Sequence, residues 1–165
     1  MREILESNSH IMVGEIGLDK HHPNIETQIK FLEKQIEIAI EFNRPIHLHC
    51  IGAWDKILHI LKGHNKSPLP PIIAHAFDGG HDIMTRLITK YDVYFSYKTK
   101  KTCINNIING TPIERILVES DCNTPTEQLK ILQDTTHEIA KLCNISEPKL
   151  NTQINKNFQR IINYA

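Results

Sequence analysis

Val13-Gly-Glu-Ile-Gly-Leu-Asp19 is the stretch on which the fold turns. With Ile11 and Met12 before it, the segment is apolar enough for a buried strand covering residues 10–18. It nevertheless carries Glu15, and a carboxylate inside a strand is costly unless it is paired or bound to a cation. Gly14 and Gly17 flank that carboxylate. Glycine in a strand often marks close approach of another backbone or of a ligand. A packed bend explains the glycines equally well, and a strand-end salt bridge explains Glu15. The choice depends on what recurs downstream.

Downstream, strands and helices alternate. Residues 1–9 read as a helical tail. After the loop from Asp19 to Asn24, the spacing of Ile25, Ile29, Leu32, Ile36 and Ala39 predicts an amphipathic helix over 25–43, stopped by Arg44-Pro45. Ile46-His-Leu-His-Cys50 is a second strand, and Trp54, Ile57, Leu58 and Leu61 mark a helix that ends at Gly63. A proline-rich loop leads to a third strand, Ile72-Ile-Ala-His75, and to a helix carrying Ile83, Leu87 and Ile88. Val93-Tyr-Phe-Ser96 is a fourth strand, residues 103–109 a short helix, and Arg115-Ile-Leu-Val-Glu119 a fifth strand. Leu129, Leu132, Thr136, Ile139 and Leu142 define one face of a long helix, and Leu150, Ile154, Phe158 and Ile161 one face of the last. Five such alternations imply right-handed βαβ units, a parallel sheet and an α/β fold in one domain over residues 1–165. In such sheets, sites lie at the carboxyl ends of the strands.

Composition limits the partners. Nineteen basic and nineteen acidic side chains cancel, so no global field draws in a nucleic acid, and phosphate binding must be local or carried by a metal. None of the four cysteines forms a C-x-x-C pair, which argues against a zinc ribbon or disulfide framework and suits a reducing compartment. No secretory signal is visible, and no run approaches the ~20 apolar residues of a membrane helix. A cytoplasmic location, with the nucleus as a further one, is expected.

Four polar residues fall at or near the carboxyl ends of different strands: Glu15, His49, His75 and Asp121. They should converge on one edge of the sheet. Two imidazoles and two carboxylates suit one or two divalent ions such as zinc, manganese or magnesium, and a glutamate offering both oxygens can bridge two ions. Each residue also has a plain structural reading: a hydrogen-bonded rim histidine, or an aspartate capping a helix. His47 is an alternative to His49, because the intervening Leu48 leaves both on the same side of the strand. Lys98, Lys100 and Lys101, and Lys20, His21 and His22, lie in loops at that edge as candidate phosphate contacts. Phe77-Asp-Gly-Gly80 is a turn whose backbone N–H groups can meet an oxyanion.

Taken in order, these segments resemble the TatD family of metal-dependent deoxyribonucleases, from about Val13 to Phe158. Gly14-Glu-Ile-Gly-Leu-Asp19 resembles the family's G-E-[IT]-G-L-D signature, and Pro45-Ile-His-Leu-His-Cys50 its P-x-x-x-H segment, which selects His49 over His47. Ile73-Ala-His-Ala-Phe-Asp-Gly79 resembles H-x-F-x-G, Leu117-Val-Glu-Ser-Asp121 resembles L-x-E-[TS]-D, and Asn157 with Ile161 resembles the closing N-x-x-x-[FL] pattern. Glu-Ser-Asp, His49-Cys50 and Tyr94-Phe-Ser96 look closest to the fungal branch. The resemblance implies a TIM barrel, one or two divalent ions and hydrolysis of phosphodiester bonds in DNA. It implies that Glu15 bridges the metals, that His49 and His75 complete one site, and that Asp121 binds the other and orients or deprotonates the attacking water. Asp19 and Glu119 would support them from behind.

The chain also departs from the family. The first strand of family members carries an H-x-H pair, which this chain lacks, and about five strands are visible where a closed barrel has eight. The expectation is an incomplete barrel without its first three strands: a fragment, one piece of a split protein, or a degenerate paralogue. Its first and last strands would then be open edges. A Glu15–His49–His75 half-site would still take one ion, while a two-metal reaction would be impaired. Cys50-Ile51 replaces a Ser-Arg pair and so removes a phosphate-binding cation. The alternatives are a catalytically inactive remnant that binds a protein partner or the missing N-terminal piece, and a hydrolase of small non-nucleic substrates.

Overall fold

Burial along the second strand alternates: Ile46, Leu48 and Cys50 are buried, while His47, His49 and Ile51 are half-buried. That two-residue period gives the sheet one face for helices and another for chemistry. A computed structural model describes residues 1–64, 68–98, 108 and 110–164. The short helix expected over residues 103–109 lies, Ile108 apart, outside the described residues, as do Lys66, Ser67, Lys100 and Lys101.

The described elements run α1 (Arg2–Ser7), β1 (Val13–Asp19), α2 (Ile25–Glu41), β2 (Ile46–Ile51), α3 (Trp54–Gly63), β3 (Ile72–Ala74), α4 (Gly80–Lys90), β4 (Val93–Tyr97), β5 (Ile116–Val118), α5 (Pro125–Leu142) and α6 (Glu147–Ile162), with a 3-10 turn at Ile113–Arg115 before β5. The five strands form one sheet in the order β1-β2-β3-β4-β5. Every pairing is parallel. Among the described residues β1 and β5 are its edges. The element order and the parallel α/β sheet agree with the sequence reading. The first strand starts at Val13 rather than residue 10, and α2 ends at Glu41, because Asn43 turns left-handed (φ 52°) ahead of Arg44-Pro45.

Two apolar clusters flank the sheet. Ile46, Leu48, Ile72, Ala74, Val93, Phe95 and Ile116 pack with Leu32, Ile36, Ala39, Ile57, Leu61 and Leu87 of the surrounding helices in the main core. Ile73, Tyr94 and Leu117, one residue out of phase, meet Ile161 of α6 in a smaller cluster, with Met12 and Ile154 against it. α5 differs from expectation at its start. Leu129 is 64% exposed, and burial along α5 begins at Thr135, continuing through Thr136, Ile139 and Ala140.

α6 is pinned by a polar contact. Asn157 is fully buried, and its Nδ2 donates to the carbonyls of Ile113 (2.9 Å) and Ile116 (2.8 Å). One amide thereby ties α6 to the start of β5. Asn157→Ala removes both bonds, leaving the buried Ile116 carbonyl without this donor while the Ile113 carbonyl keeps the Ile116 N–H, and is expected to cost about 2 kcal/mol in urea unfolding followed by circular dichroism. A change within about 0.5 kcal/mol, as at an ordinary surface position, would contradict this reading.

Candidate metal centre

The placement of Glu15 comes from an irregularity in β1. Val13 pairs with Ile46 and Ile16 pairs with Leu48, so Gly14 and Glu15 together stand opposite His47. Such a bulge re-aims a side chain. Val13, Ile16 and Leu18 all point into the main core, at spacings of three and then two. Without the extra residue, Glu15 would share the face of Val13; with it, Glu15 turns to the other side, that of His47. The two glycines let β1 and β2 approach there. A Cβ on Gly14 would lie 2.4 Å from the His47 Cβ, and one on Gly17 1.8 Å from the His49 carbonyl oxygen.

His75 follows β3, where its N–H bonds to the Leu48 carbonyl (2.9 Å). Its side chain is only 9% exposed. Nε2 lies 2.9 Å from Glu15 Oε1 and 3.7 Å from Asp121 Oδ1, while Nδ1 lies 2.8 Å from Glu119 Oε2. Ser96 Oγ also donates to Glu119 Oε2 and accepts the Ala76 N–H (3.3 Å). Glu119 Oε1 is buried without a hydrogen-bond partner among the described residues. The His47 ring lies 4.9 Å from the His75 ring and the His49 ring 6.0 Å from it. His49 Nδ1 stands 3.8 Å from Glu15 Oε1. Among the described residues, two sets of three ligating atoms lie within 4.8 Å of one another: Glu15, His47 and His75, and His75, Glu119 and Asp121.

Glu15, His75 and Asp121 are therefore brought together, with Glu119 directly behind His75. His49 sits beside Glu15, one step further along β2 than His47. Asp19 belongs to neither set. Its Oδ1 accepts the His21 N–H (2.8 Å) and its Oδ2 lies 3.6 Å from His22 Nε2, so it shapes the turn after β1. Asp121 does not cap α5; Thr124 holds that position. It adopts a left-handed backbone (φ 43°) and pairs with Lys98 Nζ. The Phe77–Gly80 turn is committed to packing, with Phe77 edge-on to Trp54 (4.9 Å) and Phe95 (4.6 Å) and Asp78 accepting the Trp54 indole N–H (2.9 Å). Sequence reasoning gave no role to Ser96. Its signal was a hydroxyl in an otherwise apolar strand.

Charge follows from these contacts. Burial lowers the His47 pKa, and the neighbouring His75 lowers it further, so His47 is held neutral with a lone pair to offer. Burial also opposes protonation of His75, but the Glu119 hydrogen bond and the charges of Glu119, Glu15 and Asp121 outweigh it and raise the pKa above 6.5. Burial would raise Glu119, yet hydrogen bonds from His75 and Ser96 win and hold it below 4.5. Asp121 is likewise held below its ordinary value, because the Lys98 hydrogen bond and charge outweigh its partial burial.

These residues fit a divalent ion. One imidazole nitrogen of His75 is committed to a buried carboxylate while the other faces Glu15 and Asp121, which is the arrangement that fixes a metal-ligating histidine. His47 is neutral, and Glu119 keeps an oxygen with no partner among the described residues.

A family model described as TatD-related DNase matches residues 1–163. The chain belongs to the TatD-related DNase family. An uncharacterised metal-dependent hydrolase of Mycoplasma genitalium is 33% identical over 73% of this chain and 50% of its own length. A 3'-5' ssDNA/RNA exonuclease TatD of Erwinia billingiae is 32% identical over 73% of this chain and 49% of its own. Deoxyribonuclease Tat-D of Schizosaccharomyces pombe is 27% identical over 70% of this chain and 38% of its own. The crystal structure of a TatD homologue from Escherichia coli superposes with a TM-score of 0.80 at 19% identity, covering 97% of this chain and 67% of that one. That of an Entamoeba histolytica TatD-family hydrolase gives 0.79 at 17% identity, over 94% and 64%. The chain thus spans about half the length of the curated relatives it matches, and its five strands form part of a TatD barrel.

The His75–Glu119 pair predicts a pH profile for the metal-free chain. His75, raised above 6.5, stabilises the fold fully below that value and loses its contribution as pH rises through its folded pKa. Glu119, lowered below 4.5, stabilises above that value and loses its contribution as pH falls through its folded pKa. The pair should contribute most between about pH 4.5 and 6.5. Urea midpoints measured in chelator across pH 3–9 should show this maximum, and Glu119→Gln should flatten it; an unchanged profile in the variant would refute the assignment.

Proposed function

We propose that this TatD-family chain acts in metal-dependent hydrolysis of phosphodiester bonds in DNA. The observation that carries this reading is that Glu15, His47 and Asp121, from three different βα units, all gather about the His75 ring of a fourth. Relatives named as a deoxyribonuclease and as a 3'-5' ssDNA/RNA exonuclease support the substrate class. Magnesium, manganese or zinc would be held by Glu15 and His75 with an imidazole of β2, His47 or His49. A bound divalent ion supplies Lewis-acid polarisation of a phosphoryl oxygen and a water of lowered pKa.

The chain's own groups do the rest. Glu119 and Ser96 fix the His75 ring so that Nε2 points at Glu15. Asp121 is half-exposed and held ionised by Lys98, so its carboxylate can orient an incoming water by accepting a hydrogen bond from it. With equal numbers of acidic and basic side chains, attraction for a polyanion rests on this edge of the sheet rather than on the whole surface. No helix among the described residues is long and apolar enough to cross a membrane.

The test is a nuclease assay on the full chain with manganese and labelled single-stranded DNA. Glu15→Ala should lower the rate by about 100-fold or more, beyond the ~10–100-fold typical of losing an outer-shell partner, which is the range expected for Glu119→Gln. Equal rates for wild type and Glu15→Ala would refute the reading. Cleavage of small esters or amides but not of DNA would move the substrate class. Metal binding with no hydrolysis of either would favour a protein-binding role.

A further inference from the structure

The Asp121 corner of the site already holds a cation. Lys98 leaves β4 directly after Tyr97, and Asp121 lies three residues past Val118; β4 and β5 pair there, Tyr97 opposite Val118, and the Glu119 N–H bonds to the Tyr97 carbonyl (3.0 Å). The two side chains therefore leave adjacent strands at the same end. Lys98 Nζ contacts Asp121 Oδ2, while Oδ1 faces His75 Nε2 at 3.7 Å, so both carboxylate oxygens have partners. Only 22% of the Lys98 side chain is exposed, unlike a lysine waving in solvent. At the other corner, neither Glu15 nor His47 makes an ion pair with lysine or arginine among the described residues.

The electrostatics of the two corners differ accordingly. Glu15 supplies a carboxylate and His47 a neutral imidazole beside His75, with no lysine or arginine paired to them among the described residues, which suits a divalent ion. The Asp121 carboxylate is already paired with the Lys98 ammonium. A divalent ion there would face that ammonium across a partly desolvated gap, where like charges repel strongly. Among the described residues its further ligands would be His75, whose Nε2 is shared with Glu15, and Glu119, whose Oε2 is taken by His75 and Ser96 while Oε1 alone has no hydrogen-bond partner.

We infer that Lys98 is the built-in cation of the Asp121 corner, standing where a second metal ion would stand and leaving a single divalent site at Glu15, His47 and His75. This rests on the metal reading above and deepens it. Lysine suits the place: its compact ammonium head has three donors, able to hold Asp121 and to face a phosphate oxygen with the remaining N–H bonds.

Manganese titration of the full chain, by calorimetry and by electron paramagnetic resonance of the free ion, tests this. Wild type and Lys98→Arg should bind one ion per chain. Lys98→Met, which keeps the stem and removes the charge, should bind two, and adding Asp121→Asn to it should remove the second ion. Circular dichroism checks that each variant is folded. Two ions on wild type, or one ion still on Lys98→Met, would overturn the role of Lys98 while leaving the metal centre intact. No manganese on wild type, or affinity unaltered by Glu15→Ala, would overturn the metal centre and this inference with it.

Discussion

The His75 imidazole is gripped by carboxylates at both ring nitrogens, Glu119 at Nδ1 and Glu15 at Nε2. A nearly buried histidine with a single partner would have a desolvated nitrogen to satisfy. Two partners remove that cost and also fix the ring plane. Because the ring cannot turn, its Nε2 faces the point that Glu15, His47 and Asp121 also approach. The carboxylate that fixes it is itself held, by Ser96 and by its place just after β5. These groups come from all five strands, Glu119 and Asp121 both following β5, so the site exists only when the parallel sheet is assembled in register.

That register depends on the β1–β2 boundary. The bulge that sets Gly14 and Glu15 opposite His47 is what turns the glutamate to the inner face, and the glycines allow the backbones to close on each other. The same sheet face continues away from the site as an apolar surface of Ile73, Leu117 and α6 residues, bounding a cavity of about 460 Å³ whose polar end is Glu15, His47, Ser96 and Glu119. α6, tied down by Asn157, therefore shapes the floor beneath the polar cluster. Structure and chemistry share one scaffold.

Much of this was legible in the sequence. Alternation of strands and helices gave the parallel sheet, and the strand-end positions of Glu15, His75 and Asp121 placed them on one edge. The His-x-His spacing put His47 and His49 on one face, but counting by twos says nothing about depth. The bulge decides that, and its trace, Val13-x-x-Ile16-x-Leu18, is visible only once the buried face is known. Lys98 was readable as a loop lysine near the site. Its bond to Asp121 depends on which strand lies beside β5, a tertiary fact. Leu129 misled because helical periodicity continues past the point where the sheet stops covering the helix. Asp19 ends a strand as read, and its carboxylate also accepts the His21 N–H of the turn that follows, a local bond that strand counting does not reveal.

Anomalous diffraction from crystals soaked in manganese addresses the shared point directly. A peak bounded by Glu15, His47 and His75 is expected, with Nδ1 of His75 still on Glu119. A clean map at that position, or an ion bound elsewhere without Glu15, would contradict the convergence on which both the fold reading and the chemistry rest.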